Sequence, residues 1–300
     1  MALHPQAREA IARAAADTPV HSPAFDVEQA RAQARALATG EPREQVAAVS
    51  DHDADGVPVR LYEPQGARPG LVVHAHGGGF VMHDVEVHDA ACRALANRTG
   101  RRVLSIDYRR PPEHRFPAAP DDVSTVVGWL DGPDVPEALR GAPLAAHGDS
   151  AGGNLALVAA LRHPGRFAAL VLVYPFLDPT AGFDSYRTAA DGFDPRDAAW
   201  YWEQYAATPA DLTHPDLAPL VVDDDRLATL PPTMVATAEH DPLRDEGEHL
   251  ATRVVEAGVP VVATRYLGQI HGFWRHLAVF PAADALMRQT GGFLDAHLGT

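Results

Sequence analysis

An apolar run at residues 142–146 leads into Gly148-Asp149-Ser150-Ala151-Gly152, and a helical pattern at 153–161 leads out of it. A Gly-x-Ser-x-Gly pentapeptide between a strand and a helix fits a sharp turn that lifts a serine hydroxyl above a sheet edge. The flanking glycines matter because a side chain there would run into the neighbouring strand and helix. The turn also aims the first backbone N–H groups of the helix at whatever reacts with Ser150. Taken alone, the pattern also suits a tight turn carrying an ordinary serine, so the rest of the chain has to decide.

The chain around this turn alternates. Apolar strands are expected at 71–75, 103–108, 144–146, 168–174, 233–238 and 261–266, with helices at 89–97, 118–130, 153–161, 245–256 and 282–298. Near-continuous apolar strands alternating with helices imply a mostly parallel sheet covered on both faces. Ligands in such sheets sit beyond the carboxyl ends of the strands, and Ser150 lies at one of these ends. Before the body come two helical segments, 5–17 and 25–37, the second stopped by Gly40-Glu41-Pro42. No strand-like alternation is read before 57–62. The rhythm breaks again between Leu177 and about Asp225, where loops surround one aromatic helical segment at 198–205. That insertion is either a helical excursion packed on the body or part of a cover over the pocket.

A serine nucleophile needs a base to take its proton and an acid to orient that base. In strand–turn–helix enzymes they follow in the order Ser, Asp or Glu, His. Asp241 ends the strand 233–238, and His271 follows the next strand. Each has rivals: Glu239, Asp245 and Glu246 for the acid, His240 and His276 for the base. Asp241 could also be a turn residue or a helix cap. Upstream, His76-Gly77-Gly78-Gly79-Phe80 follows the strand 71–75, and such a run lets backbone N–H groups turn into a pocket. Gly78 and Gly79 would donate from this loop and Ala151 from the elbow. A metal reading rests on His74-x-His76, His83-Asp84 and His88-Asp89. It lacks a helix-borne His-Glu-x-x-His pattern, and the glycines are better explained as donors. Neither a metal nor a cofactor is therefore expected.

Composition narrows the partners. The formal charge is −15, all 25 basic residues are arginine, and 46% of residues are apolar. The acidic balance argues against nucleic acid and anionic membranes, and should mildly repel anionic substrates. No run approaches the roughly 20 apolar residues that span a bilayer, and no basic-then-apolar leader is read at the N-terminus. Cys92 is the single cysteine, which points to a cytoplasmic home.

In order along about two hundred residues, these motifs resemble the hormone-sensitive-lipase family of α/β-hydrolase esterases in its bacterial form. The matching residues are His76–Phe80, Asp107-Tyr108-Arg109, Pro112–Ala118, Gly148–Gly153, Asp241–Gly247 and His271-Gly272-Phe273. The resemblance implies one α/β-hydrolase domain over 1–300, with a helical cap from about 1–45 and about 177–225. It implies Ser150 as nucleophile, Asp241 as acid, His271 as base, and Gly78, Gly79 and Ala151 as oxyanion donors. His76 and the Tyr108-to-Ala118 segment would be supports near the pocket. One departure is Arg110-Pro111-Pro112, where the family usually has Leu-Ala-Pro. The implied activity is hydrolysis of short- to medium-chain carboxylic esters without a cofactor, by a monomer or homodimer. An amide hydrolase similar to arylformamidases, or an acyl transferase, would use the same triad. A non-catalytic receptor similar to the plant gibberellin receptors would lack the histidine that His271 supplies.

Overall fold

The computed structural model describes residues 2–299; Met1, where the expected cap range begins, and Thr300 lie outside the described residues. Eight strands form one sheet in the order β1-β2-β4-β3-β5-β6-β7-β8. They are β1 (Ala48–Ala54), β2 (Val57–Glu63), β3 (Arg68–Ala75), β4 (Arg101–Ile106), β5 (Leu144–Asp149), β6 (Phe167–Val173), β7 (Thr233–His240) and β8 (Val261–Ile270). The pairs β1–β2 and β2–β4 are antiparallel, and every other pair is parallel. The mostly parallel sheet read from the alternation is the one found.

Side-chain alternation splits the core in two. Leu71, Val73, Leu170 and Leu172 pack into one cluster, with α4 (Ala118–Trp129), α5 (Ala151–Arg162) and α9 (Arg244–Glu256). Val72, Val171 and Val173 point the other way, to α3 (Asp89–Thr99) and α10 (Pro281–Leu298). Both faces of the central strands are thus dry, as a parallel sheet requires.

Two expectations need correction. β1 was not read from the sequence. Only Ala54 of its seven residues is buried and four are polar, so the sequence shows no run of alternating large apolar residues there, and its pairing with β2 defines it. α4 begins at Ala118 behind Pro117, as the pattern at 118–130 implies, without a side-chain cap. α1 (Pro5–Ala14) stops short of Asp17.

The N-terminal helices are tied to the loops at the strand ends. In α2 (Val27–Thr39), Arg31 donates to Val81 O at 2.9 Å and Pro111 O at 2.6 Å, and Arg35 pairs with Asp84. The segment after β6 carries the short helix α6 (Ser185–Thr188), then α7 (Pro195–Tyr205), then the short helix α8 (Asp224–Leu227). Phe25 meets Trp200 of α7 edge-on, with ring centroids 5.6 Å apart, so the N-terminal and inserted segments touch each other. No described helix is long and apolar enough to cross a membrane.

Candidate active site

β5 delivers Ser150 at φ 55° and ψ −120°, a left-handed conformation that costs a non-glycine residue on the order of 1–3 kcal/mol. Tight packing on both sides holds the serine there. A Cβ on Gly148 would lie 2.0 Å from Gly152 O, and one on Gly152 would lie 2.0 Å from Ala75 O of β3. The pentapeptide therefore needs glycine at both flanks.

β7 ends at His240, just before Asp241, and β8 runs into His271, so three strand ends meet. His271 Nδ1–H donates to Asp241 Oδ2 at 2.8 Å, and His271 Nε2 lies 2.9 Å from Ser150 Oγ. A carboxylate only accepts, so the Nδ1 proton faces Asp241 and Nε2 is left to accept from the serine. Asp241 is fully buried, and its Oδ1 accepts from Leu243 N at 2.9 Å. The rings of Tyr174 and Phe193 flank the imidazole at 4.7 and 4.8 Å.

The rival groups are engaged elsewhere. Glu239 accepts from Gly268 N, and Asp245 from Ser185 N. Glu246 accepts from Leu177 N and Tyr186 OH, and burial raises its carboxyl well above the usual range. His240 pairs with Asp191, while His276 sits against Arg275 and Glu41.

The glycine loop carries Gly78 at φ 115° and Gly79 at φ 59°. Gly77 N donates to Asp149 Oδ1 at 2.9 Å. Among the described residues no acceptor takes the N–H of Gly78, Gly79 or Ala151, which leaves three backbone donors free beside Ser150. Tyr201 of α7 lies so close over Gly79 that a Cβ there would sit 2.2 Å from its ring. Ser150, His271, Gly78, Gly79, Phe176, Phe193, Tyr201 and Arg275 line a cavity of about 250 Å³. At the departure from the family pattern, Arg110 donates to His83 O and Pro111 O accepts from Arg31, so this supporting turn anchors α2.

Beneath the site lies a cluster of buried histidines: His74, His76, His88 and His147. Tyr108 stacks on His76 at 4.2 Å, and Tyr108 OH donates to His76 O at 2.7 Å. Burial pushes His74 down to about 4 and His76 to about 3, and lowers His88 and His147 well below the usual value. His74, His88 and Asp149 bring ligand-type atoms within 4.8 Å of one another and could hold a metal. Asp149 is already engaged with Gly77 N and lies 3.3 Å from His88 Nε2.

The sequence offered no physical role for Asp149, and it passed over Phe193 and Arg275. The one available signal for Arg275 was its place on the short loop that carries His271.

The family described as alpha/beta hydrolase fold matches residues 72–275. The carboxylic ester hydrolase LipN of Mycobacterium tuberculosis is 37% identical over 294 residues, covering 91% of this chain and 77% of its own. The arylesterase of Saccharolobus solfataricus is 34% identical over 241 residues, 78% of this chain and 77% of its own. The solved hyperthermophilic esterase of the archaeon Pyrobaculum calidifontis superposes with a TM-score of 0.88 at 35% identity, covering 99% of both chains.

Proposed function

The chain belongs to the α/β-hydrolase fold family, in its hormone-sensitive-lipase-like branch, and is a carboxylic ester hydrolase; we propose that Ser150, His271 and Asp241 are its nucleophile, base and acid. The observation that carries this assignment is the unbroken hydrogen-bond chain from Asp241 through His271 to Ser150 Oγ. His271 takes the Ser150 proton as Oγ attacks the ester carbonyl, and Asp241 holds the ring and stabilises the imidazolium that forms. The oxyanion is received by the N–H groups of Gly78, Gly79 and Ala151. The alcohol leaves with a proton from His271, and water then repeats the sequence on the acyl-enzyme.

The substrate is a small carboxylic ester. A cavity of about 250 Å³ favours short acyl chains, and the rings of Phe176, Phe193 and Tyr201 supply an apolar wall. In this reading the segments at about 1–45 and about 177–225 form the cap. Its support is Tyr201 over Gly79, Phe193 against His271, and the Phe25–Trp200 contact. The protein works as a monomer or homodimer in the cytoplasm; buried, unpaired Cys92 suits a reducing compartment.

The test is a panel of p-nitrophenyl esters of rising acyl length, run on the wild type and on Ser150→Ala. Activity is expected to peak at short chains and to vanish in the variant. Equal turnover by the two proteins would sink the assignment of Ser150.

A further inference from the structure

Arg275 is an unusual wall for a pocket that receives neutral esters. It sits four residues after His271, its side chain is 16% exposed, and it faces the same cavity as Ser150, Gly78 and Gly79. A guanidinium carries five N–H donors in a planar fork. Here it donates to His276 Nε2 at 2.9 Å and reaches Val87 O only at 3.4 Å. The nearest carboxylate, Glu41, lies 3.6 Å away, beyond hydrogen-bonding distance. Donors are left over, and none of them is a sealed, unpartnered buried atom, so they stay open to solvent and to a ligand.

The other basic side chains of the wall do not share this charge. Burial lowers the pKa of both His83 and His276, which keeps these rings neutral. Burial lowers that of Arg275 too, but an arginine stays protonated across the physiological range. Of the negative groups, Glu41 on the linker after α2 pairs with the guanidinium at 3.6 Å, and Asp149, on the same wall, keeps its charge while accepting from Gly77 N. Arg275 is therefore the one permanently cationic side chain among the described residues of this wall, with the rings of Phe176, Phe193 and Tyr201 elsewhere on it.

We propose that Arg275 is a specificity-determining residue that receives a carboxylate of the substrate, so that the preferred esters are short ones bearing an anionic group a few carbons from the reacting carbonyl. Monoesters of short dicarboxylic acids are the simplest members of this class. The proposal rests on the reading of Ser150 as the nucleophile. The fork would hold the carboxylate through paired, charge-assisted hydrogen bonds. Hydrolysis itself is unchanged: water's oxygen joins the acyl carbon, the alcohol leaves with a proton, and a dicarboxylate is released. The chain's net charge of −15 does not forbid such a substrate, because salt screens charges beyond about 8–10 Å and the local wall decides.

The experiment compares kcat/KM for monoethyl succinate and ethyl butyrate, followed by acid release, in the wild type and in Arg275→Gln. A second arm compares 4-acetoxybutanoate with butyl acetate, which places the carboxylate on the alcohol side. In at least one arm the wild type should favour the anionic ester, and the ratio of anionic to neutral should fall about 10- to 100-fold in the variant. A third measurement needs no variant: succinate should inhibit ethyl butyrate hydrolysis competitively at concentrations where butyrate does not. Arg275→Lys should restore part of the ratio. An arginine that merely props the linker would leave both ratios unmoved and succinate inert, and that result overturns the proposal. Absence of turnover on every neutral and anionic ester would instead strike at the Ser150 assignment.

Discussion

Asp149 Oδ1 accepts a hydrogen bond from Gly77 N at 2.9 Å, which joins the residue before the nucleophile to the loop that carries the free N–H groups. In the proposed mechanism this side chain helps set the distance between the serine and the oxyanion donors. The fit is close: a Cβ on Gly77 would lie 2.5 Å from Asp149 Oδ2. Asp149→Ala is expected to lower kcat roughly 10- to 100-fold, with less effect on KM, a smaller loss than the about 10²–10³ of deleting a donor outright. Asp149→Asn keeps an oxygen for Gly77 N and should recover most of it. If both variants kept full kcat, the link would have no part in catalysis.

In the proposed mechanism Asp241 and His271 act on one proton. Asp241→Asn offers an amide where the Nδ1 proton now points, which favours the wrong tautomer, and kcat should drop about 10⁴-fold. His271→Gln should fall at least as far. A small loss in His271→Gln would point instead to His240 or His276 as the base.

Gly79 tests the contact between the inserted helix and the oxyanion loop. Gly79→Ala must accept φ 59° and a clash with Tyr201, at a cost of roughly 2–5 kcal/mol in stability together with lost activity. Adding Tyr201→Ala removes the clash but not the backbone strain, so denaturant unfolding should show partial recovery. Additive losses in the double variant would show that the two residues do not touch in solution.

The buried histidines predict acid sensitivity. Burial depresses His74, His76, His88 and His147 in the fold, while in the unfolded chain they titrate near about 6.5. Below that pH the unfolded state binds more protons. The stability they contribute is therefore full above about 6.5 and is lost as the pH falls toward their folded values. Each can add up to about 1.4 kcal/mol per pH unit to the slope. Urea unfolding at pH 7.5, 6 and 5 should show stability falling steadily, and His74→Asn should make the fall shallower. A flat profile over that range is the contrary result.

Much of the fold was legible because its signals are local. Dry central strands need apolar residues on both faces, so 71–75 and 168–174 announce themselves. The Ser150 turn is written in glycine because only glycine fits against Gly152 O and Ala75 O. Loop order along the chain picked out Asp241 and His271 without any knowledge of distance. β1 escaped because this edge strand carries mostly small and polar residues, and only its partner defines it.

The sequence by itself determined the order of the chemical groups and the sheet that presents them. Tertiary structure decided which groups meet. It put His271 rather than His276 against Ser150, sent Glu246 to Leu177 and Tyr186, and laid Tyr201 over Gly79. It also gave Asp149 a partner 72 positions away and turned Arg275 into the cavity. The physical reason is range. Propensity and glycine geometry act within a few residues, whereas hydrogen bonds and ion pairs act over a few ångströms between segments that only packing brings together.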